Sequence, residues 1–139
     1  MLNLRGNLFG TCLVTCSFLG ACSGKTSDRD LVVLDLAQAR VLHDSPNAQF
    51  VDPRAPLDFE RGHIKGALNL QPAQVSELKT EMEPSVARSK TVVVYGDNPG
   101  TGIARAVAKR LMAAGHRGVR LYAGGLDEWR ANGLPVDSK

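Results

Sequence analysis

Short apolar runs and helix-spaced stretches alternate along most of this chain. The run "LVVL" (31–34) predicts a first strand, and in "DLAQARVLHD" (35–44) Leu36, Ala39 and Leu42 recur near the helical period. "AQFVD" (48–52) reads as a buried strand that ends at a polar residue. "PLDFERG" (56–62) predicts a short helical turn, with Pro56 at its first position and Gly62 at its end. "GALNL" (66–70) is a brief strand and "PAQVSELKTEM" (72–82) a helix opened by Pro72. "TVVVYG" (91–96) is the most β-branched run and predicts the central strand. In "TGIARAVAKRLMAAG" (101–115), Thr101 stands as N-cap, Ile103, Val107 and Leu111 share a face, and Gly115 follows as the C′ residue. "GVRLY" (118–122) is a fifth strand, and "GLDEWRANG" (125–133) a last helix with Trp129 on its packed side. The alternation predicts an α/β domain with a doubly wound, mostly parallel five-stranded central sheet and helices on both faces.

Composition agrees with one soluble domain: 139 residues, 43% apolar and 22% charged. The net charge of +3 is carried by scattered Lys and Arg, and aromatics make up 5%. Nucleic-acid binding, which wants a basic face with aromatics interleaved, therefore has little support.

The first residues break the pattern. Before Lys25 the only charged residue is Arg5, followed by an apolar stretch over 8–19 and then "LGAC" at 19–22. A basic start, an apolar core of about a dozen residues and small residues before a cut site describe a secretory signal. The stretch is shorter than the roughly 20 apolar residues of a membrane span. "LGAC" resembles the lipobox of bacterial lipoproteins, whose Cys is acylated and becomes the new N-terminus. That resemblance implies a signal over residues 1–21, a lipidated Cys22 with a polar tether over 22–30, and a folded domain over 31–139; the alternative is an anchor that stays uncleaved. Two or more acyl chains would hold it stably on a membrane, and Ser23 after the Cys points to the periplasmic face of the outer membrane. The three cysteines, Cys12, Cys16 and Cys22, all lie in this region, so no disulfide framework is expected in the folded domain.

In parallel α/β sheets, ligands sit beyond the carboxyl ends of the strands. The loop after the central strand is "GDNPGTG" (96–102), whose glycines Gly96, Gly100 and Gly102 let backbone N–H groups turn inward beside a helix N-terminus. Such a cradle suits an anion. It lacks the Gly-Lys-Ser/Thr ending of a nucleotide P-loop, and by itself it reads equally as a plain turn.

Two further stretches carry a family resemblance. "FVDPRAPLDFERGHIKGALNL" (50–70) resembles the first signature of rhodanese domains: Asp-x-Arg after a buried strand, an aromatic, then Gly-His-Ile-x-Gly-Ala-x-Asn. "LYAGGLDEWRANGLPV" (121–136) resembles their closing signature, Gly-Gly-x-x-x-Trp-x-x-x-Gly-x-Pro-Val. The resemblance implies sulfur transfer through a persulfide on a Cys placed directly after the central strand's Tyr, its thiolate held by backbone N–H groups and a helix dipole. Here Tyr95 is followed by Gly96. The loop is also about two residues longer than the family's Cys-x-x-Gly-x-Arg-Ser, so Gly96 or Asp97 stands at the lost nucleophile's position. It resembles the loops of phosphatase relatives of the fold only in length, without their Cys and Arg.

Asp97 is expected to accept the loop N–H bonds in the thiolate's place, or else to be a solvent-facing turn residue. Asn98 and Thr101 complete the candidate loop, and Arg105, one turn into the helix, either reaches its mouth or is a solvated helix residue. Asp52 and Arg54 are expected mainly to organise the fold, His63 to be a hydrogen-bonded structural imidazole, and Gly124, Gly125 and Trp129 to be structural parts of the closing motif. His43 and His116 have no metal-like spacing and are expected to be exposed. No metal and no cofactor is implied.

The leading expectation is thus a lipid-anchored rhodanese-like protein of the bacterial envelope without its nucleophile, binding a protein partner or a small anion at the loop face. A sulfurtransferase that uses an unidentified or partner-supplied thiol is the second reading. A structural envelope lipoprotein is the third.

Overall fold

The computed structural model describes residues 28–77 and 84–139. The proposed signal and lipidation site, with Cys12, Cys16 and Cys22, lie outside the described residues, as does the later part of the helix expected over 72–82. A 3-10 turn over Asp28–Asp30 leads into β1 (Val32–Leu34), followed by α1 (Leu36–His43), β2 (Ala48–Asp52), α2 (Pro56–Arg61), β3 (His63–Ile64) and β4 (Leu68–Asn69). Then come α3 (Pro72–Glu77), α4 (Pro84–Arg88), β5 (Thr91–Tyr95), α5 (Gly102–Ala113), β6 (Val119–Tyr122), α6 (Gly125–Ala131) and β7 (Val136–Asp137). Among the described residues no helix is long and apolar enough to cross a membrane.

Five strands form one sheet in the order β1-β6-β5-β2-β4, every pair parallel, so β5 is central as its Val-rich run predicts. A parallel sheet is covered on both faces, and its strands must be apolar on both sides. β5 shows how: Val92 and Val94 enter one core, Val93 and Tyr95 the other. The first core is closed by α5 through Ala104, Val107, Ala108 and Leu111, spaced as one helical stripe, with Val75 of α3 and Val86 of α4. The second is closed by Ala39 of α1 and by Leu126 and Trp129 of α6, with Phe50 and Ile64 beneath them.

The helix ends combine caps the sequence places with one it did not signal. Asp35 and Gln38 form a reciprocal capping box at the start of α1 (2.8 and 3.1 Å). Pro56 opens α2, and Gly115 follows α5 with φ +101°. Thr101 occupies the N-cap of α5, but its hydroxyl makes no capping bond there. Helix α4 and an antiparallel ribbon of β3 with β7 were not signalled by the apolar pattern. Both are too short for periodicity to reveal.

Candidate functional site

The sheet delivers the loop 96–101 to the carboxyl end of β5, and α6 fixes it from the side. The carbonyls of Gly96 and Asp97 accept the N–H groups of Leu126 and Asp127, both at 2.8 Å. These are first-turn donors that a helix cannot satisfy by itself. The approach requires Gly125: its φ is +69°, and a Cβ there would stand 2.6 Å from the Asp97 carbonyl oxygen and 2.7 Å from that of Gly96. Gly124 leaves room for a second clasp, in which the Tyr122 hydroxyl donates to Glu128 Oε2 at 2.7 Å. Burial, with the Glu128 carboxylate adding to it, pushes the Tyr122 phenol up. The two glycines of the closing motif are therefore packing requirements of this loop.

Beyond Asp97 the chain turns on itself. Asn98 Oδ1 accepts the Gly100 N–H (3.0 Å) and meets the Thr101 hydroxyl at 3.4 Å; Thr101 Oγ1 accepts the Asn98 N–H (3.2 Å), and the Thr101 N–H bonds the Asn98 carbonyl (3.0 Å). The loop's own side chains thus hold the Asn98 and Gly100 N–H groups, and its backbone holds that of Thr101. Beside the turn lies a cleft of about 90 Å³ walled by Gly96, Thr101, Gly102, Ala104, Arg105 and Tyr122. That is well short of the roughly 300–1,000 Å³ of sites that engulf an organic ligand. Arg105, one turn into α5, is exposed and lines its wall. Past Pro99 and Ala123, which border both, the cleft opens into a broad groove of about 480 Å³ with Val33, Leu36, Gln38 and Glu128 along it.

Of the two expectations for Asp97, acceptor of the loop N–H groups or solvent-facing turn residue, the structure contradicts the first and half meets the second. Its carboxylate turns away from the loop N–H groups and accepts Arg54 Nη1 at 2.9 Å, with the side chain half exposed. The physical reason is the unspent donor on Arg54: its other nitrogens bond Asp52 (2.7–3.2 Å) and the Gly62 carbonyl (2.7 Å). Asp52 is fully buried and also accepts the Arg54 backbone N–H. Burial alone would lower the Arg54 pKa, but the hydrogen bonds and charge of Asp52, with that of Asp97, outweigh it and leave it raised. Tyr95 joins this cluster: its hydroxyl accepts the Ile64 N–H at 3.0 Å, within the field of the Asp52 carboxylate. Burial, then the Asp52 charge, pushes the phenol far up. Because the Asp97 end is exposed, Asp97→Ala is expected to cost no more than about 1 kcal/mol in urea unfolding. It should also leave the chain without sulfate binding by calorimetry, since the loop N–H groups stay occupied.

The remaining candidates are structural. His63 is buried, stacks on Phe59 (centroids 3.7 Å, 11°) and bonds the Phe59 carbonyl through Nδ1 at 2.8 Å. Trp129 is 1% exposed and donates from Nε1 to the Pro135 carbonyl (3.0 Å). His43 and His116, expected to be exposed, are only partly so. His43 packs on Trp129 and bonds the Lys65 carbonyl (2.9 Å), and His116 bridges the Ser89 carbonyl and the Gly118 N–H (3.0 and 3.2 Å). Each is drawn in by an otherwise unpaired backbone group at an element end. Among the described residues no group of three His, Cys, Asp or Glu is placed to hold a metal. Sequence reasoning missed the Tyr95 bond and the Tyr122–Glu128 clasp, which join positions distant in sequence or on different elements. The Asn98 turn left a signal in "NPGT", an Asx-turn composition.

Comparison with known proteins bears on what this arrangement is. The sequence profile of the rhodanese-like domain matches residues 35–132. Thiosulfate sulfurtransferase 18 of Arabidopsis thaliana is 27% identical over 126 residues, spanning 84% of this chain and 91% of that protein. Among solved structures, a protein of unknown function from Rhodopseudomonas palustris, described as a possible tyrosine phosphatase, superposes with a TM-score of 0.67 at 26% identity, over 78% of this chain and 86% of that one. A rhodanese-like domain from Anabaena sp. does so with a TM-score of 0.53 at 26% identity, over 66% and 92%.

Proposed function

Because the chain belongs to the rhodanese-like domain family, we propose that it is a non-catalytic member, anchored to the bacterial envelope through a lipidated Cys22, that uses its loop face to bind a protein partner. One observation carries this reading. The chain's three cysteines all precede residue 23, and the loop where a sulfur carrier is expected holds Gly96, Asp97 and Asn98, closed by its own hydrogen bonds. Persulfide chemistry needs a thiolate, and neither a carboxylate nor an amide forms an equivalent sulfur carrier. The small cleft and the broad open groove with a half-exposed Val33 suit a protein surface better than a small substrate.

The name of the Arabidopsis relative favours one second reading, sulfur transfer from thiosulfate with the carrier thiol supplied by a partner. The full chain in detergent, assayed for thiocyanate from thiosulfate and cyanide, separates the two. The expected result is no thiocyanate above the enzyme-free rate, alone or with added low-molecular thiols. Turnover by the chain alone sinks the non-catalytic reading, and turnover that appears only with a thiol favours the second. Crosslinking from a photoreactive residue at Pro99 is expected to capture a defined envelope protein if the groove is the binding face.

A further inference from the structure

The loop between β5 and α5 is closed by shape as well as by hydrogen bonds. Gly96 is buried at the end of β5, and a Cβ on it would stand 2.7 Å from both Cβ and Cγ2 of Thr101 and 3.1 Å from its Oγ1. Carbon atoms in contact rest at about 3.5–4.0 Å. The obstructing Cβ is the one side-chain atom that no rotamer moves. Nor can the backbone of Thr101 step aside freely, because its N–H and its hydroxyl are both bonded to Asn98. Gly96 cannot retreat freely either: its carbonyl is pinned to the Leu126 N–H, beside the close approach of Gly125.

We propose that Thr101 is a built-in lock on position 96. Its Cβ and methyl occupy the space any side chain there would need, and its hydroxyl, with Asn98, holds the N–H groups that would otherwise face that side chain. Position 96 can carry a functional group only when residue 101 gives up its own Cβ. The inference deepens the reading of a silent loop and takes only its biological sense from it. The melting and titration of the variants below do not depend on whether the parent chain transfers sulfur.

The test is a double-mutant cycle on the full chain in detergent. Gly96→Cys alone is expected to lower the melting temperature by roughly 5–15 °C, the range that overpacking produces in a domain of this size. Thr101→Gly alone lowers it less. The double variant is expected to melt no lower than Thr101→Gly, whereas independent sites would add their losses. Thr101→Ser keeps both the Cβ and the hydroxyl, so it should give Gly96→Cys no rescue. The second readout is the pH dependence of iodoacetamide labelling on the tryptic peptide 91–105, which contains no other cysteine site. In the double variant the Asn98 N–H, freed from the Thr101 hydroxyl, should bring the thiol's midpoint below the ordinary value of about 8.5. A Gly96→Cys chain that melts with the parent, additive losses, or a midpoint at or above that value overturns the proposal.

Discussion

Arg54→Ala is expected to remove about 3–5 kcal/mol of stability, the range for a buried ion pair that loses one partner. Against a total of about 5–15 kcal/mol for a typical domain, much of the chain would be unfolded at moderate temperature. The loss is large because Asp52 remains behind. It is fully buried, four of its hydrogen bonds come from Arg54, and no water reaches it. The Gly62 carbonyl and the Asp97 carboxylate lose a donor in the same step. Arg54→Lys should recover little, because a single ammonium cannot span Asp52, Gly62 and Asp97 at once. Urea unfolding followed by circular dichroism measures both variants. If Arg54→Ala lost no more than Asp97→Ala, the network would not be what holds the loop against α2.

Trp129→Ala should be comparably damaging, at about 3–5 kcal/mol for an aromatic deleted from a packed core. The indole lies at the centre of the second core, with ring centroids of His43, Tyr122 and Phe50 at 5.1, 6.0 and 5.9 Å. Three elements would therefore border the cavity, and the Pro135 carbonyl would lose its donor. Trp129→Phe fills most of the space and should cost less than half as much. Thermal melts by circular dichroism give the comparison, since the substitution removes the chain's one tryptophan. Equal melting temperatures for the parent and Trp129→Ala would contradict the packing described here.

Much of this arrangement was legible from residues alone, for identifiable reasons. The β-branched run 91–95 has the length and composition of a strand buried on both faces, so its central place followed from pattern. Pro56 and Gly115 act through local backbone rules and sit where those rules put them. The two signatures around Asp52 and Trp129 located the site, because each packs a dense set of special residues into a short span.

What escaped was long-range pairing. Nothing in the sequence says that the spare nitrogen of Arg54 lies within reach of Asp97, 43 positions later, and so the carboxylate was expected either to face the loop or to turn to solvent. Asn98 and Thr101 fill the loop instead because they are the nearest acceptors to its N–H groups. His43 and His116 were expected to be exposed by the same oversight, since their carbonyl partners belong to other segments.

The ribbon of β3 with β7 has a bearing on biosynthesis. His63 and Ile64 pair with Asp137 and Val136, the Lys65 N–H bonds the Pro135 carbonyl, and the Lys139 N–H bonds the Glu60 carbonyl. β1, for its part, finds its neighbour only in β6, some 90 positions on. Contacts of such sequence separation form slowly, because the loop between them must first be ordered. A nascent chain held on the ribosome short of residue 119 has no partner for its first strand, and short of 136 it leaves the Gly-His-Ile segment uncovered. Assembly of the described domain therefore waits on residues 119–137, which complete both the sheet and the ribbon.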